Sequence, residues 1–356
     1  MKVSGIHVRS IGLHRPTRWT SPQEARAAGL CDEDFPGDDL LRVQIAPGVP
    51  PVDMAATAAR EAIGRAAVAP AAIDMLMHAV CFWNGPEEWS PAGYLLRELG
   101  CPDGAGQVVN QGCNGMLAAL EMAAGWLTLR GEDSTAVLTT ATMVHDSPTV
   151  DRWRSAGYGI AVGDGACAVV LGRRPGIAEL TAVNSTTVPQ MERFHRGALP
   201  LTEPTPALRP KVDVLARARE NAALSTLSGL ELQSLQIKAY RRAMARTLDD
   251  VGIGPEDLAR VLFAHVGGAQ TDALVMQQLG LPLSRSAWEH GRSIGHAGAS
   301  DHIYGLERLI TSGEVSEGDR LMLVCGTAGF HITCLVLTIG DLSPYERYGR
   351  YRRYGR

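Results

Sequence analysis

Apolar residues along the chain form two patterns that alternate, helix-spaced stretches and short continuous runs. Residues 58–80 combine a helical pattern, a turn at Pro70 and an apolar run, and residues 240–266 repeat this order around Pro255. Apolar runs that alternate with helical patterns are typical of mostly parallel sheets covered by helices. The pattern therefore predicts an α/β fold.

The same landmarks recur at a near-constant offset. The two proline turns lie 185 positions apart, as do Leu138 and Leu323, and the glycine-flanked turns at Cys113 and His296 lie 183 positions apart. A fixed period is the sequence signature of a structural repeat. We therefore predict two similar halves, and a pseudo-twofold axis between them would bring the turn at Cys113 to the turn at His296.

The first half is predicted to span residues 1–172 and the second residues 173–342. The second half contains an irregular, proline-containing stretch at about 183–230. This stretch is too long for a simple connection, so we expect an insertion that caps a site. Residues 343–356 form a basic aromatic tail, a composition that suits single-stranded nucleic acid or an acidic partner. Such ends are more often disordered appendages, which is what we expect here.

Composition narrows the class of protein. The net charge of −4 argues against a nucleic-acid binder, no apolar stretch reaches the ~18 residues of a membrane span, and the start of the chain lacks a secretory signal. Seven cysteines form no CxxC pair. An odd count without metal-ligand spacing favours a reducing, cytoplasmic setting and no structural metal.

The candidate nucleophile is Cys113, in “NQGCNGMLAAL”. A helix N-terminus lowers the pKa of a thiol, and the Cys113 N–H is a possible donor to an oxyanion. Gly112 and Gly115 permit a sharp turn and the close approach of a substrate. The alternative is that Cys113 is a small buried filler, as free cysteines often are.

A thiolate nucleophile needs a base, normally a histidine. His265 and His296 both lie in glycine-flanked turns after apolar runs, and Asp301 follows His296 by five residues. A Cys–His–Asp set would let the aspartate orient the imidazole and stabilise its charged form. The alternatives are that Asp301 caps the next helix and that His265 is a satisfied buried histidine. His78, which has no chemical neighbours in the sequence, is interpreted as structural.

Four segments carry a family resemblance: “VVNQGCNGMLAALEMAAGWL”, “WSPAGYLLRELG”, “VGDGACAVVLG” and “CGTAGFHITCLVL”. They resemble, in order, the nucleophile segment, the segment before it, the GDGAGAVVL run and the glycine-rich C-terminal strand pair of the ketoacyl-acyl-carrier-protein synthase III group, within the thiolase superfamily. The resemblance covers about residues 1–342. It implies a five-layered αβαβα thiolase fold of two pseudo-repeated halves, a homodimer and a covalent acyl-Cys113 intermediate.

Two departures from that family are informative. His265 matches the histidine of its HQANxR motif, but the following QAN and the arginine are missing, which puts the usual carrier-protein contact in doubt. His296 stands where the family's asparagine is expected. An imidazole serves as a general base, which an amide cannot. With Asp301, this set is similar to a divergent branch that loads or moves acyl groups in antibiotic and polyketide pathways.

The resemblance also suggests substrate-binding residues. His195 resembles a histidine in the inserted region of this branch, and Trp83 and Trp89 lie near the family's pocket-gating segment, with core packing as the equal alternative. Further candidates come from the glycine-rich turn that is expected to hold the oxyanion: Gly326, Ala328 and Gly329.

The sequence thus predicts an acyltransferase with no bound cofactor. It would take an acyl group from coenzyme A or from acyl-carrier protein and pass it to a small-molecule hydroxyl or amine or to a carrier thiol. The alternatives are a condensing β-ketoacyl synthase of the same family, with His265 and His296 sharing the enolate, and a non-catalytic partner subunit. Retention of Cys113 argues against the partner subunit.

Overall fold

The computed structural model describes residues 1–37, 39–82, 84–86, 88–157, 159–201, 211–327, 329–343 and 345. The strands are β1 (His7–His14), β2 (Arg18–Thr20), β3 (Val43–Ile45), β4 (Met75–Val80), β5 (Ala105–Asn110), β6 (Thr135–Thr142), β7 (Gly165–Gly172), β8 (Ala178–Thr187), β9 (Leu258–Phe263), β10 (Arg320–Gly326) and β11 (His331–Ile339). The α-helices are α1 (Pro22–Ala27), α2 (Pro51–Ala66), α3 (Pro91–Leu99), α4 (Gly115–Thr128), α5 (Val214–Leu224), α6 (Gly229–Val251), α7 (Gly268–Thr271), α8 (Gln277–Leu279), α9 (Trp288–Gly291) and α10 (Asp301–Ser312).

Nine strands form one sheet whose order repeats itself. The order is β5-β4-β6-β7-β1-β8-β11-β10-β9. In the first half β4 lies parallel to β5 and β6, and β7 runs antiparallel to β6; in the second half β9 lies parallel to β10, and β11 runs antiparallel to β10. The series β4-β6-β7-β1 therefore matches β9-β10-β11-β8 about an axis between β1 and β8. Two pseudo-repeated halves are confirmed.

The side chains of each strand divide between two layers. In β7, Ala166, Ala168 and Val170 pack with α2 and α3, whereas Cys167 and Val169 face α4 and α10. The other half of the sheet packs on α6 in the same alternating way. Because successive residues of a strand point to opposite faces, each half-sheet is covered on both sides. The layers are α, β, α, β, α, as predicted.

The central layer consists of α4 and α10. Nine of the 14 residues of α4 and nine of the 12 residues of α10 are buried. The mostly apolar α4 is typical of a core helix, whereas α10 also buries the polar side chains of Asp301, His302 and Glu307. The N-termini of both helices lie next to the turns that carry Cys113 and His296, so the core fixes the turns.

The structure differs from the sequence prediction in two segments. The stretch predicted to be irregular begins inside β8, whose polar end at Asn184 to Thr187 still pairs with β11, and it also contains α5. In the predicted disordered tail, Tyr345 is buried, and its hydroxyl donates to Ile11 O at 2.9 Å. Residues 344 and 346–356 lie outside the described residues, and for them the disordered tail stays a prediction.

Among the helices of the described ranges, none has the length and apolar character that a membrane crossing requires.

Candidate active site

Four turns converge where parallel strands end. Cys81 directly follows β4, Cys113 lies three residues after β5, His265 lies two residues after β9, and Thr327 directly follows β10. The carboxyl ends of neighbouring parallel strands meet at one edge of a sheet, which is where α/β proteins build sites. The pseudo-repeat therefore brings the site edges of both halves together.

Cys113, His296 and Asp301 form a hydrogen-bonded relay. Cys113 Sγ lies 2.9 Å from His296 Nε2, and His296 Nδ1 lies 2.6 Å from Asp301 Oδ2. An ionised carboxylate can only accept, so Nδ1–H donates to Asp301 and Nε2 faces the sulfur. This is the geometry of a nucleophile, a general base and an orienting carboxylate.

Asp301 is fully buried at the first residue of α10. Its carboxylate also accepts the backbone N–H groups of Ala297 and His265, each at 2.7 Å. Burial alone would raise its pKa, but the His265 and His296 rings together with these hydrogen bonds lower the pKa to about 2. The bonds of the carboxylate thus go to groups outside α10, so it serves the relay and not a helix cap.

The relay favours a thiolate–imidazolium pair. The neighbouring Cys81 thiol, 3.5 Å from Cys113 Sγ, and the His296 ring hold the pKa of Cys113 well below that of an ordinary thiol, against the effect of burial. Burial alone would lower the pKa of His296, but the charges of Cys113 and Asp301 raise it well above its usual value. The geometry therefore favours the thiolate form of Cys113, with Cys81 S–H placed to donate to its sulfur.

The turn that carries Cys113 is built by two glycines. Gly112 has φ of 50°, a left-handed conformation that glycine adopts without strain. A Cβ at Gly115 would lie 2.9 Å from Ala79 Cβ, so a side chain there would push α4 away from β4. The Cys113 N–H donates to Thr327 Oγ1 at 3.0 Å. The N–H group expected to donate to an oxyanion thus already donates to Thr327 in this structure.

His265 lies beside the relay. Its Nδ1 is 3.2 Å from Gly295 O and 3.4 Å from Asp301 Oδ1, and burial lowers the pKa of its ring. The ring also lines a cavity of about 300 Å³ whose other walls include Asp39, Gln270 and Trp288. His265 therefore lies between a cavity and the carboxylate, where burial disfavours its charged form and the charge of Asp301 favours it.

A backbone clamp fixes His296. Its N–H donates to Ala161 O at 2.8 Å, and the Gly163 N–H donates to His296 O at 2.9 Å. The adjoining Asp164 is fully buried, pairs with Arg152 at 2.8 Å and accepts two backbone N–H groups. The GDGA run of the first half, residues 163–166, thus helps to hold His296 of the second half in place.

The other predicted residues lie in separate surroundings. His195 stacks near Phe330, with ring centroids 5.7 Å apart, and burial together with the Arg217 charge lowers its pKa to about 4. Trp89 packs on Tyr94 with ring centroids 5.6 Å apart. Their roles in substrate binding stay predictions.

In the glycine-rich turn, Gly326 ends β10, where a Cβ would lie 2.1 Å from the Tyr240 hydroxyl, and Gly329 has φ of 78°. The turn contacts Cys113 through Thr327. Trp83 and Ala328 lie outside the described residues. His78, interpreted as structural, has both ring nitrogens bonded, to Thr139 and to Asn84.

Sequence reasoning missed Cys81 and Thr327. Each directly follows a parallel strand of the repeat, as the predicted site residues do within a few positions. This position directly after a strand could have identified both residues, since polar or nucleophilic residues at such strand ends face the site. Among the described residues, no group of three histidine, cysteine or acidic side chains is arranged to hold a metal ion.

Comparisons with known proteins identify related sequences and folds. Residues 248–339 match the model of the C-terminal region of 3-oxoacyl-[acyl-carrier-protein] synthase III. The curated mycobacterial β-ketoacyl-[acyl-carrier-protein] synthase III of Mycobacterium ulcerans is 23% identical over 348 residues, which cover 94% of this chain and 96% of that protein.

Solved structures extend the comparison to the whole fold. ChlB3, an acyltransferase, is 32% identical with a TM-score of 0.86, and the match covers 96% of this chain and 99% of ChlB3. The 3-oxoacyl-[acyl-carrier-protein] synthase III from Aquifex aeolicus VF5 shares the fold at 17% identity, with a TM-score of 0.75 over 94% of this chain and 99% of that one. The chain therefore belongs to the ketoacyl-acyl-carrier-protein synthase III family of the thiolase superfamily, in the divergent branch that includes the acyltransferase ChlB3.

Proposed function

We propose that this protein is an acyltransferase of secondary metabolism, in antibiotic or polyketide pathways, that carries an acyl group on Cys113. It transfers that group to a hydroxyl, an amine or a carrier thiol without decarboxylative condensation. The relay from Cys113 through His296 to Asp301 is the observation that supports this most, with steps of 2.9 and 2.6 Å. An imidazole backed by a carboxylate is a general base, and the amide of the condensing enzymes is not.

In the first half-reaction, His296 Nε2 takes the proton of Cys113. The thiolate attacks the carbonyl carbon of the thioester and forms an S–C bond, and the carbonyl electrons move onto oxygen. When the intermediate collapses, the bond to the leaving sulfur breaks, and His296 Nε2–H protonates that sulfur. The ionised Asp301 stabilises the imidazolium throughout.

In the second half-reaction, the acceptor enters beside the acyl-enzyme. His296 Nε2, again neutral, removes a proton from the acceptor hydroxyl, amine or thiol as that group attacks the acyl carbon. The bond to Cys113 Sγ breaks, and the product is an ester, an amide or a new thioester. The low pKa of the Cys113 thiol supports this step, because a stabilised thiolate is a good leaving group.

The donor is an acyl thioester of coenzyme A or of acyl-carrier protein, which is a substrate and not a bound cofactor. The cavity of about 300 Å³ that His265 lines is the proposed approach for a long, flexible thioester arm. Its walls combine apolar surface at Trp288 and Leu40 with the polar groups of Asp39 and Gln270. The acyl acceptor is a small molecule or the thiol of a carrier protein.

The protein is further proposed to be a cytoplasmic homodimer that pairs along β5. This strand is the edge of the nine-stranded sheet, and all of its residues except Val109 are exposed. An unpaired edge strand is a template for another chain, and Val108 leaves 45% of its surface exposed there. All seven cysteines are free thiols, which suits a reducing compartment.

A condensing β-ketoacyl synthase is the second candidate. His265 and His296 both lie against Asp301, so two imidazoles would be available to stabilise an enolate. The curated relatives carry the name of that activity. The relay argues the other way, since a neutral His296 ring paired with Cys113 acts as a base and becomes a charged imidazolium, and is not a fixed neutral donor.

The test combines intact mass with carbon dioxide release. The enzyme is offered a panel of acyl-coenzyme A thioesters and then malonyl-acyl-carrier protein. We expect an acyl adduct on wild type and on the control Cys101→Ala, which removes a remote buried thiol, and no adduct on Cys113→Ala. No carbon dioxide should appear. Carbon dioxide together with a β-ketoacyl product would contradict the proposal and favour the condensing enzyme.

A further inference from the structure

The hydroxyl of Thr327 lies directly against the nucleophile turn. Thr327 follows β10, is 8% exposed, and its Oγ1 accepts the Cys113 N–H at 3.0 Å. A Cβ at Gly112 would lie 2.3 Å from Oγ1, closer than atoms tolerate. The chain therefore uses a glycine before Cys113 to let this hydroxyl reach the backbone of the nucleophile.

Three of the described backbone donors near Cys113 already have acceptors. The Cys113 N–H goes to Thr327 Oγ1, the Asn114 N–H to Gln111 O at 3.1 Å, and the Thr327 N–H to His331 O at 3.2 Å. A hydroxyl carries one donor proton and two acceptor positions. The proton of Thr327 Oγ has no acceptor among the described residues, so it is a free donor beside Cys113.

We propose that the Thr327 hydroxyl donates a hydrogen bond to the oxyanion that forms when Cys113 attacks a thioester. This inference rests on the proposed function and adds a catalytic residue to it. The S–C bond forms, the carbonyl electrons move onto oxygen, and Oγ–H points to that oxygen without transferring its proton. The oxygen gives the electrons back when the bond to the leaving sulfur breaks.

The Cys113 N–H supports this role in two ways. It fixes Thr327 Oγ in one position, so the donor is preorganised before the substrate arrives. It also polarises the hydroxyl, because a hydrogen bond accepted by an oxygen strengthens the bond that the same group donates. Two consecutive hydrogen bonds, from the Cys113 N–H to Thr327 Oγ and from Oγ–H to the oxyanion, thus connect the backbone dipole to the reacting carbonyl.

A rival role for Thr327 makes the opposite prediction. If the hydroxyl merely fills the position of the oxyanion, it must swing away to free the Cys113 N–H. Removal of the hydroxyl would then speed acylation. The two roles therefore differ in the sign of the effect.

The experiment compares two single-turnover reactions of Cys113, both followed by intact mass. One is acylation by whichever acyl-coenzyme A acylates wild type fastest. The other is alkylation by iodoacetamide, which displaces iodide at a saturated carbon and builds no oxyanion. The ratio of the two rates isolates stabilisation of the oxyanion from access to the sulfur and from its thiolate fraction.

Thr327→Val keeps the shape and removes the hydroxyl. We expect its acylation to slow by about 10²–10³-fold, the usual loss for one oxyanion donor, while alkylation stays within about threefold of wild type. Thr327→Ser keeps the hydroxyl and should retain acylation within about tenfold. Thr327→Ala should slow acylation by at least about tenfold, and it carries the comparison if Thr327→Val does not fold.

Other outcomes overturn the inference. Faster or unchanged acylation in Thr327→Ala would mean that the Thr327 hydroxyl only fills the position of the oxyanion. An equal fall of acylation and alkylation in Thr327→Val would make the residue structural. If wild type takes an acyl group from no thioester, the proposed function itself fails, and that result is visible before any variant is compared.

Discussion

Replacing the Asp301 carboxylate by an amide removes the charge that stabilises the His296 imidazolium and one of the two oxygens that accept hydrogen bonds. The carboxylate accepts from His296 Nδ1 at 2.6 Å and from the N–H groups of Ala297 and His265 at 2.7 Å each. An amide has one accepting oxygen and one donating nitrogen. In Asp301→Asn, whichever way the amide is turned, its NH₂ group faces one of the two backbone N–H groups.

The loss of stability follows from these contacts. One buried N–H loses its acceptor, which costs about 1–3 kcal/mol. The ionised carboxylate adds a second contribution: its pKa falls from 3.8 to about 2, worth roughly 2 kcal/mol. Because the pKa is lower in the folded protein, this contribution is present above about pH 4 and is lost as the pH falls toward 2. We expect Asp301→Asn to lose roughly 3–5 kcal/mol at pH 7 and to show a flatter acid limb of stability.

The loss of activity has a separate cause. When the NH₂ group donates to His296 Nδ1, the proton of the ring moves to Nε2 and faces Cys113. The ring then presents a donor to the sulfur and is no longer the base. We expect acylation in the folded fraction to slow by about 10²–10⁴-fold.

The assay is single-turnover acylation at pH 7, on protein whose folded fraction is known from urea unfolding. Glu307→Gln is the matched control. Glu307 is also a buried carboxylate of α10, but its ion pair is with Arg15 and not with the relay. It should lose stability, as a broken buried ion pair does, and retain acylation within about tenfold. Acylation by folded Asp301→Asn within tenfold of wild type, or an equal loss in the control, would refute this reasoning.

Three further predictions concern other residues. Cys81→Ala removes an S–H donor, so the pKa of Cys113 should rise, and the midpoint of the pH profile of iodoacetamide alkylation should move upward; an unmoved midpoint would contradict the role given to that thiol. Val108→Lys places a charge on the exposed edge strand and should convert the proposed dimer to a monomer in analytical ultracentrifugation, while Leu230→Lys, also exposed, should leave the oligomeric state unchanged; a monomeric wild type would contradict the proposed dimer. Tyr345→Phe deletes a hydroxyl with two hydrogen bonds, so urea unfolding should report a loss of about 1–3 kcal/mol, against no change if the tail start is disordered.

The repeat made the meeting of Cys113 and His296 predictable. Both residues lie in turns that precede a buried core helix, and the offset of 183 positions places them at matching points of the two halves. Periodicity carries this information because the same β–α unit is used twice. The two roles of Asp301, in contrast, could not be separated by sequence, since helix capping and histidine orientation favour the same residue type.

What stayed hidden depends on side-chain contacts that no local pattern encodes. Thr327 reaches the Cys113 N–H because Gly112 adopts a left-handed conformation 215 positions earlier. The end of β8 looks irregular in sequence because its residues are polar, yet Ser185 hydrogen-bonds Glu121 across the layer and stays in the sheet. Polarity marks a loop in a short window but is also compatible with a strand whose partners lie far away in the chain.

The hydrogen bond between Cys113 and His296 has a consequence for biosynthesis. The two residues come from different halves, so a ribosome completes the first half well before His296 is translated. Until the second half docks, Cys113 lacks the imidazole partner that helps to lower its pKa, so a smaller fraction of it is thiolate at neutral pH. The nascent chain therefore exposes a less reactive Cys113 to cellular electrophiles, and the proposed nucleophile gains its full reactivity only when folding is nearly complete.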